Sequence, residues 1–165
     1  MENLILIGMP ASGKSTVGVV LAKTLGKTFL DLDLLIQERE GDLLQNLIDR
    51  QGMVRFLEME EQAILSINES NAVIATGGSV IYSHSGMEYL SKIGKIIYLE
   101  LSFQSIDRRL HNIHTRGIAM GQGETLKDLY EKRVPLYEKY ADFTINGEDL
   151  NVEEVIERII ETIGQ

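Results

Sequence analysis

Gly8 to Ser15 have the residue types and spacing of a phosphate-binding loop. They read Gly-Met-Pro-Ala-Ser-Gly-Lys-Ser, directly after an apolar run at 4–7 and before a helical pattern. The glycines let the backbone curl so that successive N–H groups face phosphate oxygens, and the helix N-terminus adds partial positive charge. Lys14 can reach the terminal phosphates, and the Ser15 hydroxyl is placed to bind Mg²⁺. A glycine turn with an accidental lysine is the alternative; because motif and context both match, we expect nucleoside triphosphate binding.

Two carboxylates follow the second apolar run. Asp31 and Asp33 are two residues apart, so on an extended strand both would project from one face. Ligand sites in parallel sheets lie at the carboxyl ends of strands, which is where these residues fall. One carboxylate would then lie near Mg²⁺ and the other near an acceptor hydroxyl. Alternatively Asp33 only caps the helix predicted at 34–39, and both roles can hold at once.

Two glycine-containing segments are further candidates. Gly77 and Gly78 end a buried strand, where they permit a close backbone approach to a ligand or form a plain turn. The segment 111–124 has low periodicity, three glycines and Arg116, which is typical of a lid that closes over phosphates. It also contains His111 and His114, which lack acidic partners and are expected to be exposed rather than to bind a metal.

Five apolar runs alternate with helical patterns and predict one doubly wound α/β domain over residues 1–165. The helical pattern at 42–67 is interrupted at Gly52, and most of its charged residues are expected to form a solvated face. Pro135 predicts a break or kink just after Arg133 in the helix at 125–140. The predicted strands are 28–33 and 142–145, together with 4–7, 72–76 and 95–101.

Composition excludes several classes of function. The chain has 165 residues and a net charge of −9, so bulk charge does not favour binding to nucleic acid or an anionic membrane. It has no cysteine, which rules out disulfides, thiol catalysis and thiolate metal sites. No signal peptide or membrane-spanning run is visible. We therefore expect a cytoplasmic monomer that acts on a small molecule.

Taken together, these landmarks resemble the shikimate kinase family of P-loop small-molecule kinases. The resemblance implies a three-layer α/β fold around a five-stranded parallel sheet, with a lid at about 111–124 and a substrate-binding helical subregion at about 33–61. It also implies transfer of the ATP γ-phosphoryl group to a ring hydroxyl of shikimate, a step of aromatic amino acid biosynthesis. The matching landmarks are Gly8 to Thr16, Asp31-x-Asp33, Gly77-Gly78, Arg116 and Arg133-x-Pro135-Leu136-Tyr137.

The resemblance also implies residue roles. Asp33 would contact and help activate the acceptor hydroxyl, and Asp31 would act on Mg²⁺ through water beside Ser15. Arg133 would bind the substrate carboxylate, and Gly77 with Gly78 would contact the substrate. The catalytic set would be Lys14, Asp33 and Arg116. Nucleotide contacts would come from the loop, from the lid arginine and from an arginine against adenine: Ala11, Ser12, Gly13, Lys14, Ser15, Thr16, Arg116 and Arg109.

Three positions depart from the family pattern. Leu57 stands where the family's Phe-Arg-x-x-Glu has its arginine, Ser79 replaces a third glycine, and Gly117 replaces a lid proline. Arg55 does not obviously replace the arginine, because two residues back on a helix is about 200° round. Losing an arginine contact to a desolvated carboxylate could remove roughly 2–5 kcal/mol. Either Arg133 holds the carboxylate alone, or the acceptor is another polyhydroxylated acid or a sugar.

A third possibility, of a different class, is a regulatory module that binds nucleotide without useful transfer. The presence of Asp33, Arg116 and Arg133 argues against it, because a protein that only binds nucleotide has little use for all three. Nucleoside monophosphate kinases fit less well, since the segment 111–124 lacks their usual cluster of arginines.

Overall fold

The computed structural model describes residues 2–111, 118 and 120–164. In this part of the chain, strands and helices alternate as the apolar runs predict. The strands are β1 (Asn3–Ile7), β2 (Thr28–Asp31), β3 (Ala72–Ala75), β4 (Gly94–Glu100) and β5 (Phe143–Asn146). The helices are α1 (Lys14–Leu25), α2 (Leu32–Glu40), α3 (Leu44–Leu65), α4 (His84–Ile93), α5 (Phe103–His111), α6 (Leu126–Tyr140) and α7 (Val152–Ile163), and a short 3₁₀ turn spans Val80–Tyr82.

The five strands form one parallel sheet in the order β2-β3-β1-β4-β5. Strand β1 lies at the centre, where Ile5 pairs with Ile74 of β3 and with Ile96 of β4. Because every pair is parallel, the carboxyl ends of all five strands meet at one edge. The loop after β1, the start of α2 and Gly77 after β3 therefore lie at the same edge of the sheet.

Helices cover both faces of the sheet, so the fold has three layers. Side chains of a strand point alternately to opposite faces, and β1 shows this directly. Leu4 and Leu6 belong to the core formed with α1 and α7. Ile5 and Ile7 belong to the larger core formed with α2, α3, α4, α5 and α6. The α/β class, the three layers and the five-stranded parallel sheet are confirmed.

The region around the two aspartates differs from the prediction. Strand β2 ends at Asp31 and is a partly exposed edge strand, not a buried strand running to residue 33. Asp31, not Asp33, caps α2: its Oδ1 accepts hydrogen bonds from the backbone N–H groups of Asp33 (2.9 Å) and Leu34 (3.2 Å). This cap starts the helix at Leu32, so Asp33 lies in its first turn and does not share a strand face with Asp31.

Two further expectations concern helix interruptions. Gly52 has non-helical dihedral angles (φ 79°, ψ 169°) inside α3, so the predicted interruption is confirmed. The helix does not break at Pro135, because α6 runs from Leu126 through Pro135 to Tyr140, and a kink at this point stays a prediction. Proline removes one backbone hydrogen bond, but burial of Arg133 and Tyr137 on either side of it holds the helix in place. No helix in the described ranges is long and apolar enough to cross a membrane.

Candidate active site

The loop between β1 and α1 has the backbone geometry of an anion-binding nest. Three of its residues have positive φ: Gly8 (150°), Ala11 (65°) and Gly13 (95°). At Gly8 a Cβ atom would lie 2.8 Å from the backbone oxygen of Leu99, so only glycine fits. Ala11 in a left-handed conformation costs about 1 kcal/mol, a strain that tends to persist at ligand sites. Such a curled backbone turns successive N–H groups toward one point, where phosphate oxygens fit.

Lys14 places a cation at this nest. Its side chain is only 5 % exposed, and Nζ donates hydrogen bonds to the backbone oxygens of Gly8 (2.7 Å) and Met9 (2.8 Å). The lysine is thus held beside the nest by the loop itself. A phosphate group bound there would meet both the backbone N–H groups and this ammonium group.

Ser15 and Asp31 offer oxygen atoms suited to Mg²⁺. The Ser15 hydroxyl donates a 2.9 Å hydrogen bond to Asp31 Oδ2, although the two residues lie on different elements. Hydroxyl and carboxylate oxygens are the ligands that Mg²⁺ prefers, and Mg²⁺ on a nucleotide is held by few protein groups because phosphates and water supply the others. The described ranges contain no group of three His, Cys, Asp or Glu side chains that could hold a metal. The fit to Mg²⁺ therefore rests on Ser15 and Asp31 together with the phosphates and water.

A partly open cavity of about 30 Å³ lies next to the loop. Its lining brings together Lys14 of the loop, Asp33 of α2 and Arg133 of α6. The remaining lining residues come from the loop, from α3, from the segment after β3 and from residue 118: Pro10, Leu44, Phe56, Glu60, Thr76, Gly77, Gly78, Ser79 and Ile118. Residues predicted from distant parts of the sequence therefore share one pocket.

Gly77 and Gly78 let charged side chains of the pocket approach the backbone closely. A Cβ atom at Gly77 would lie 2.9 Å from Asp33 Oδ1 and 3.0 Å from Glu60 Oε2. A Cβ atom at Gly78 would lie 2.7 Å from Arg133 Nη1. Any side chain at these positions would displace the charged groups of the pocket. The structure thus shows close approach of the protein's own side chains to this glycine pair, and close approach of a ligand stays a prediction.

Arg133 is a buried cation with aromatic support. It is 1 % exposed, its Nε donates to the Tyr82 hydroxyl (3.3 Å), and its guanidinium carbon lies 5.3 Å from the centre of the Tyr82 ring. Tyr137, one helical turn later, donates a 2.5 Å hydrogen bond to the backbone oxygen of Gly78. Burial raises the pKa of the Tyr137 hydroxyl, which keeps it a neutral donor. These contacts fix α6 against the glycine pair.

Glu60 is a functional candidate to which sequence reasoning assigned no role. Most charged residues of this segment are expected on a solvated face, but Glu60 is an exception, because it is 1 % exposed and lines the pocket. Ser79 donates to its Oε1 (2.9 Å) and Oε2 (3.1 Å). Burial raises the pKa of the Glu60 carboxyl from 4.5 to about 8, and the nearby Asp33 charge adds to this. Its spacing, four residues after Phe56 and four before Ile64, could have placed it on the buried stripe.

A second cavity, of about 50 Å³, opens on the other side of the loop. It is lined by Gly13, by Arg109 of α5 and by apolar residues of the β5–α7 region such as Ile145 and Val152. Arg109 Nη1 donates to the backbone oxygen of Ala11 (3.1 Å), which places its flat guanidinium beside this cavity. The cavity suits a planar, largely apolar group attached to phosphates in the nest.

Glu148 connects the two sides of this second cavity. The carboxylate, in the loop before α7, accepts a 3.0 Å hydrogen bond from the backbone N–H of Ser102 at the start of α5, and it also accepts from the hydroxyls of Ser102 and Ser105. These hydrogen bonds lower the pKa of the Glu148 carboxyl. The loop is thereby tied to the helix that carries Arg109. Sequence reasoning did not single out Glu148, because its partners are 43 or more residues away.

The segment 111–124 is only partly described. Arg116, Gly117 and His114 lie outside the described residues, so the roles predicted for them remain predictions. Ile118 is described and lines the pocket that contains Asp33 and Arg133. The His111 side chain is exposed, as expected, and its Nδ1 lies 2.7 Å from the backbone oxygen of Asp107.

Comparison of the chain with known proteins identifies its family. The sequence model of shikimate kinase matches residues 10–164. The chain belongs to the shikimate kinase family. It is 40 % identical over 163 residues to a shikimate kinase of Thermodesulfovibrio yellowstonii, covering 97 % of this chain and 94 % of the relative. A second relative, the shikimate kinase of Sulfurihydrogenibium sp., is 33 % identical over 99 % of this chain and 98 % of its own length.

Solved shikimate kinases share the fold along the whole chain. The shikimate kinase of Acinetobacter baumannii in complex with shikimate superposes with a TM-score of 0.90 at 29 % identity, covering 99 % of this chain and 93 % of that one. The recognition made from the motifs is therefore confirmed, and with it the P-loop kinase interpretation of the fold.

The departures from the shikimate kinase pattern have clear structural settings. Leu57 is partly buried against the larger core. Arg55 pairs with Glu58 (3.0 Å) on the exposed side of α3 and does not line the pocket, so among the described residues it does not replace the family's arginine. Ser79 supplies a hydroxyl that donates to Glu60, at the position where the resemblance implies a glycine.

Proposed function

We propose that this chain transfers the γ-phosphoryl group of ATP to a hydroxyl group of shikimate. The main support for the proposal is that Lys14, at the end of the phosphate-binding loop, lines the same pocket as Asp33 and Arg133. A phosphoryl group held at the nest and an acceptor held in the pocket are then neighbours, which is what phosphoryl transfer requires. Relatives that cover nearly the whole chain are named shikimate kinases.

On the donor side, the backbone N–H groups of residues 11–16 hold the phosphates, and Lys14 neutralises the charge that develops during transfer. Ser15 and Asp31 would hold Mg²⁺, directly or through water, and the bound ion would supply neutralisation of the phosphate charge. Arg109 lies against the adenine in the second cavity. In this proposal Arg116 reaches the phosphates when the segment 111–124 closes as a lid.

On the acceptor side, Asp33 accepts a hydrogen bond from the reacting hydroxyl. It takes the hydroxyl proton as the new oxygen–phosphorus bond forms and the bond between the γ-phosphorus and the oxygen of the leaving ADP breaks. Arg133 binds the shikimate carboxylate, and Gly77 and Gly78 leave room for the ring to approach the backbone. The helical subregion at 33–61 forms the remaining wall. The cavity is too small for a six-membered ring, so it must widen when the acceptor binds. Ile118, in the segment predicted to be the lid, forms part of its wall, and movement of this segment would widen the cavity.

A different hydroxylated acid, or a sugar, is the second candidate acceptor. Leu57 at the family's arginine position favours it, because the pocket then has one fewer cation for a carboxylate. A nucleotide-binding module without transfer activity is the third candidate. The convergence of Lys14, Asp33 and Arg133 on one pocket argues against it.

ATP consumption with a panel of hydroxylated acids and sugars separates these candidates. The proposal predicts stimulation by shikimate and formation of a phosphate ester of shikimate. Strong stimulation by another acceptor, with none by shikimate, would support the second candidate. Flat turnover with every acceptor, while ATP binding is confirmed by calorimetry, would support the third.

A further inference from the structure

We propose that Glu60 takes up a proton when the pocket binds an anionic acceptor, so that acceptor affinity falls as Glu60 ionises at alkaline pH. The inference rests on the proposed function in one respect, namely that the acceptor carries a carboxylate. It makes Glu60 a positioning residue that acts through the charge of the pocket, in addition to the residues assigned above.

The carboxyl groups of Asp33 and Glu60 both lie close to Gly77. A Cβ atom at Gly77 would lie within 3.0 Å of both Asp33 Oδ1 and Glu60 Oε2, so these oxygens approach the same small volume from α2 and from α3. Two carboxyl groups that share a buried site do not both ionise readily, because like charges repel strongly where water is excluded. One of them is therefore expected to hold a proton.

Glu60 is the member of this pair that holds the proton. The Glu60 side chain is 1 % exposed, whereas Asp33, in the first turn of α2, is only partly buried. Removal from water is the largest cause of the raised pKa of Glu60, which reaches about 8. The Ser79 hydroxyl opposes this by donating to both carboxylate oxygens.

Charged groups on three neighbouring elements act on the Glu60 carboxyl. Asp33 of α2 raises the pKa of Glu60, while Arg133 of α6 and Lys14 of α1 lower it. Tyr137 of α6 also faces Glu60 and is neutral, because its own pKa is raised. The other charged or titratable groups nearby face a surface groove of about 400 Å³ behind Glu60: Arg55, Glu58, Glu61 and Tyr82.

Glu60 contributes to the lining of both the acceptor pocket and this groove. A carboxylate that enters the pocket adds a negative charge next to Glu60. This raises the pKa of Glu60 further, and binding therefore draws in a proton wherever Glu60 is ionised in the free protein.

Calorimetry measures this proton directly. Shikimate is titrated into the full chain at pH 7, 8 and 9 in buffers of different ionisation enthalpy. We expect uptake of about half a proton at pH 8, and an affinity that falls by up to about tenfold per pH unit above that pH. Glu60→Gln, which imitates the neutral acid, should show no uptake and an affinity constant within twofold from pH 7 to 9.

Glu61→Gln is the matched control. Glu61 is the next residue of α3 and bonds Ser83 outside the acceptor pocket, so this variant should keep the wild-type proton uptake. Unchanged wild-type affinity from pH 7 to 9, or uptake that persists in Glu60→Gln, would overturn the proposal. If Glu60→Gln does not fold, Ser79→Ala provides the test. Loss of the Ser79 donor should move the alkaline fall in affinity to higher pH, and an unmoved fall would count against the proposal.

Failure of the proposed function is distinguishable from failure of this inference. If shikimate does not bind, the pH dependence of thermal unfolding in the ligand-free protein still reports Glu60. Wild type should lose stability relative to Glu60→Gln as pH rises from 5 to 8, whatever the acceptor is. Parallel unfolding profiles would refute the protonated Glu60 and leave the kinase assignment untouched.

Discussion

The buried carboxyl of Glu60 makes the stability of the protein depend on pH in a predictable direction. Its pKa is about 8 in the folded protein and 4.5 as the ordinary value. Between these values the folded chain binds more protons at Glu60 than the unfolded chain, so stability falls as pH rises. The contribution is fully present below pH 4.5 and is lost by about pH 8. Replacing Glu60 by glutamine removes this dependence.

The size of the effect follows from the same two pKa values. One pKa unit corresponds to about 1.4 kcal/mol. Relative to Glu60→Gln, wild type should lose about 3 kcal/mol of unfolding free energy between pH 4.5 and pH 7, and about 5 kcal/mol in total above pH 8. For a chain of this length 3 kcal/mol corresponds to about 6–12 °C in melting temperature.

Urea unfolding of both proteins from pH 4.5 to 9, followed by circular dichroism, provides the measurement. The comparison uses the difference between the two curves, because all other titrating groups are shared and their contributions cancel. Glu61→Gln serves as a control and should follow the wild-type curve. A difference between wild type and Glu60→Gln that stays constant within about 1 kcal/mol over this range would refute the reasoning.

Three further predictions concern activity. Asp33→Asn should lower kcat for transfer at least a hundredfold while ATP affinity stays nearly unchanged, because Asp33 lies on the acceptor side; retained kcat would leave it no catalytic role. Leu57→Arg should lower the KM for shikimate at least tenfold if a missing cation limits recognition, and an unchanged KM measured beside wild type would indicate another acceptor. Glu148→Gln should raise the KM for ATP several-fold and leave the KM for shikimate alone, because it loosens the start of α5; equal changes in both constants would contradict a role confined to the nucleotide side.

The parts predictable from sequence are those that local spacing determines. The phosphate-binding loop is continuous in sequence and its neighbouring strand and helix follow from periodicity, so residues 8–15 could be placed without a structure. The parallel sheet follows from strands alternating with helices. The interruption at Gly52 follows from the low helix propensity of glycine.

The parts that could not be predicted depend on packing between distant segments. Glu60 looks like one more charge on a charged helix, and only the packing of α3 against Ser79 and Gly77 buries it. Pro135 looks like a helix break, but burial of α6 outweighs the lost hydrogen bond. The cap by Asp31 instead of Asp33 could not be predicted, because a two-residue difference in where β2 ends decides which carboxylate meets the free N–H groups.

Phosphoryl transfer to shikimate is the most direct test of the whole account. Purified protein is incubated with Mg²⁺, ATP and shikimate, and the products are followed by phosphorus NMR. The account predicts ADP and a shikimate phosphate ester in equal amounts, with both absent in Asp33→Asn. ATP that binds but yields no ester, with shikimate present at millimolar concentration, would contradict it.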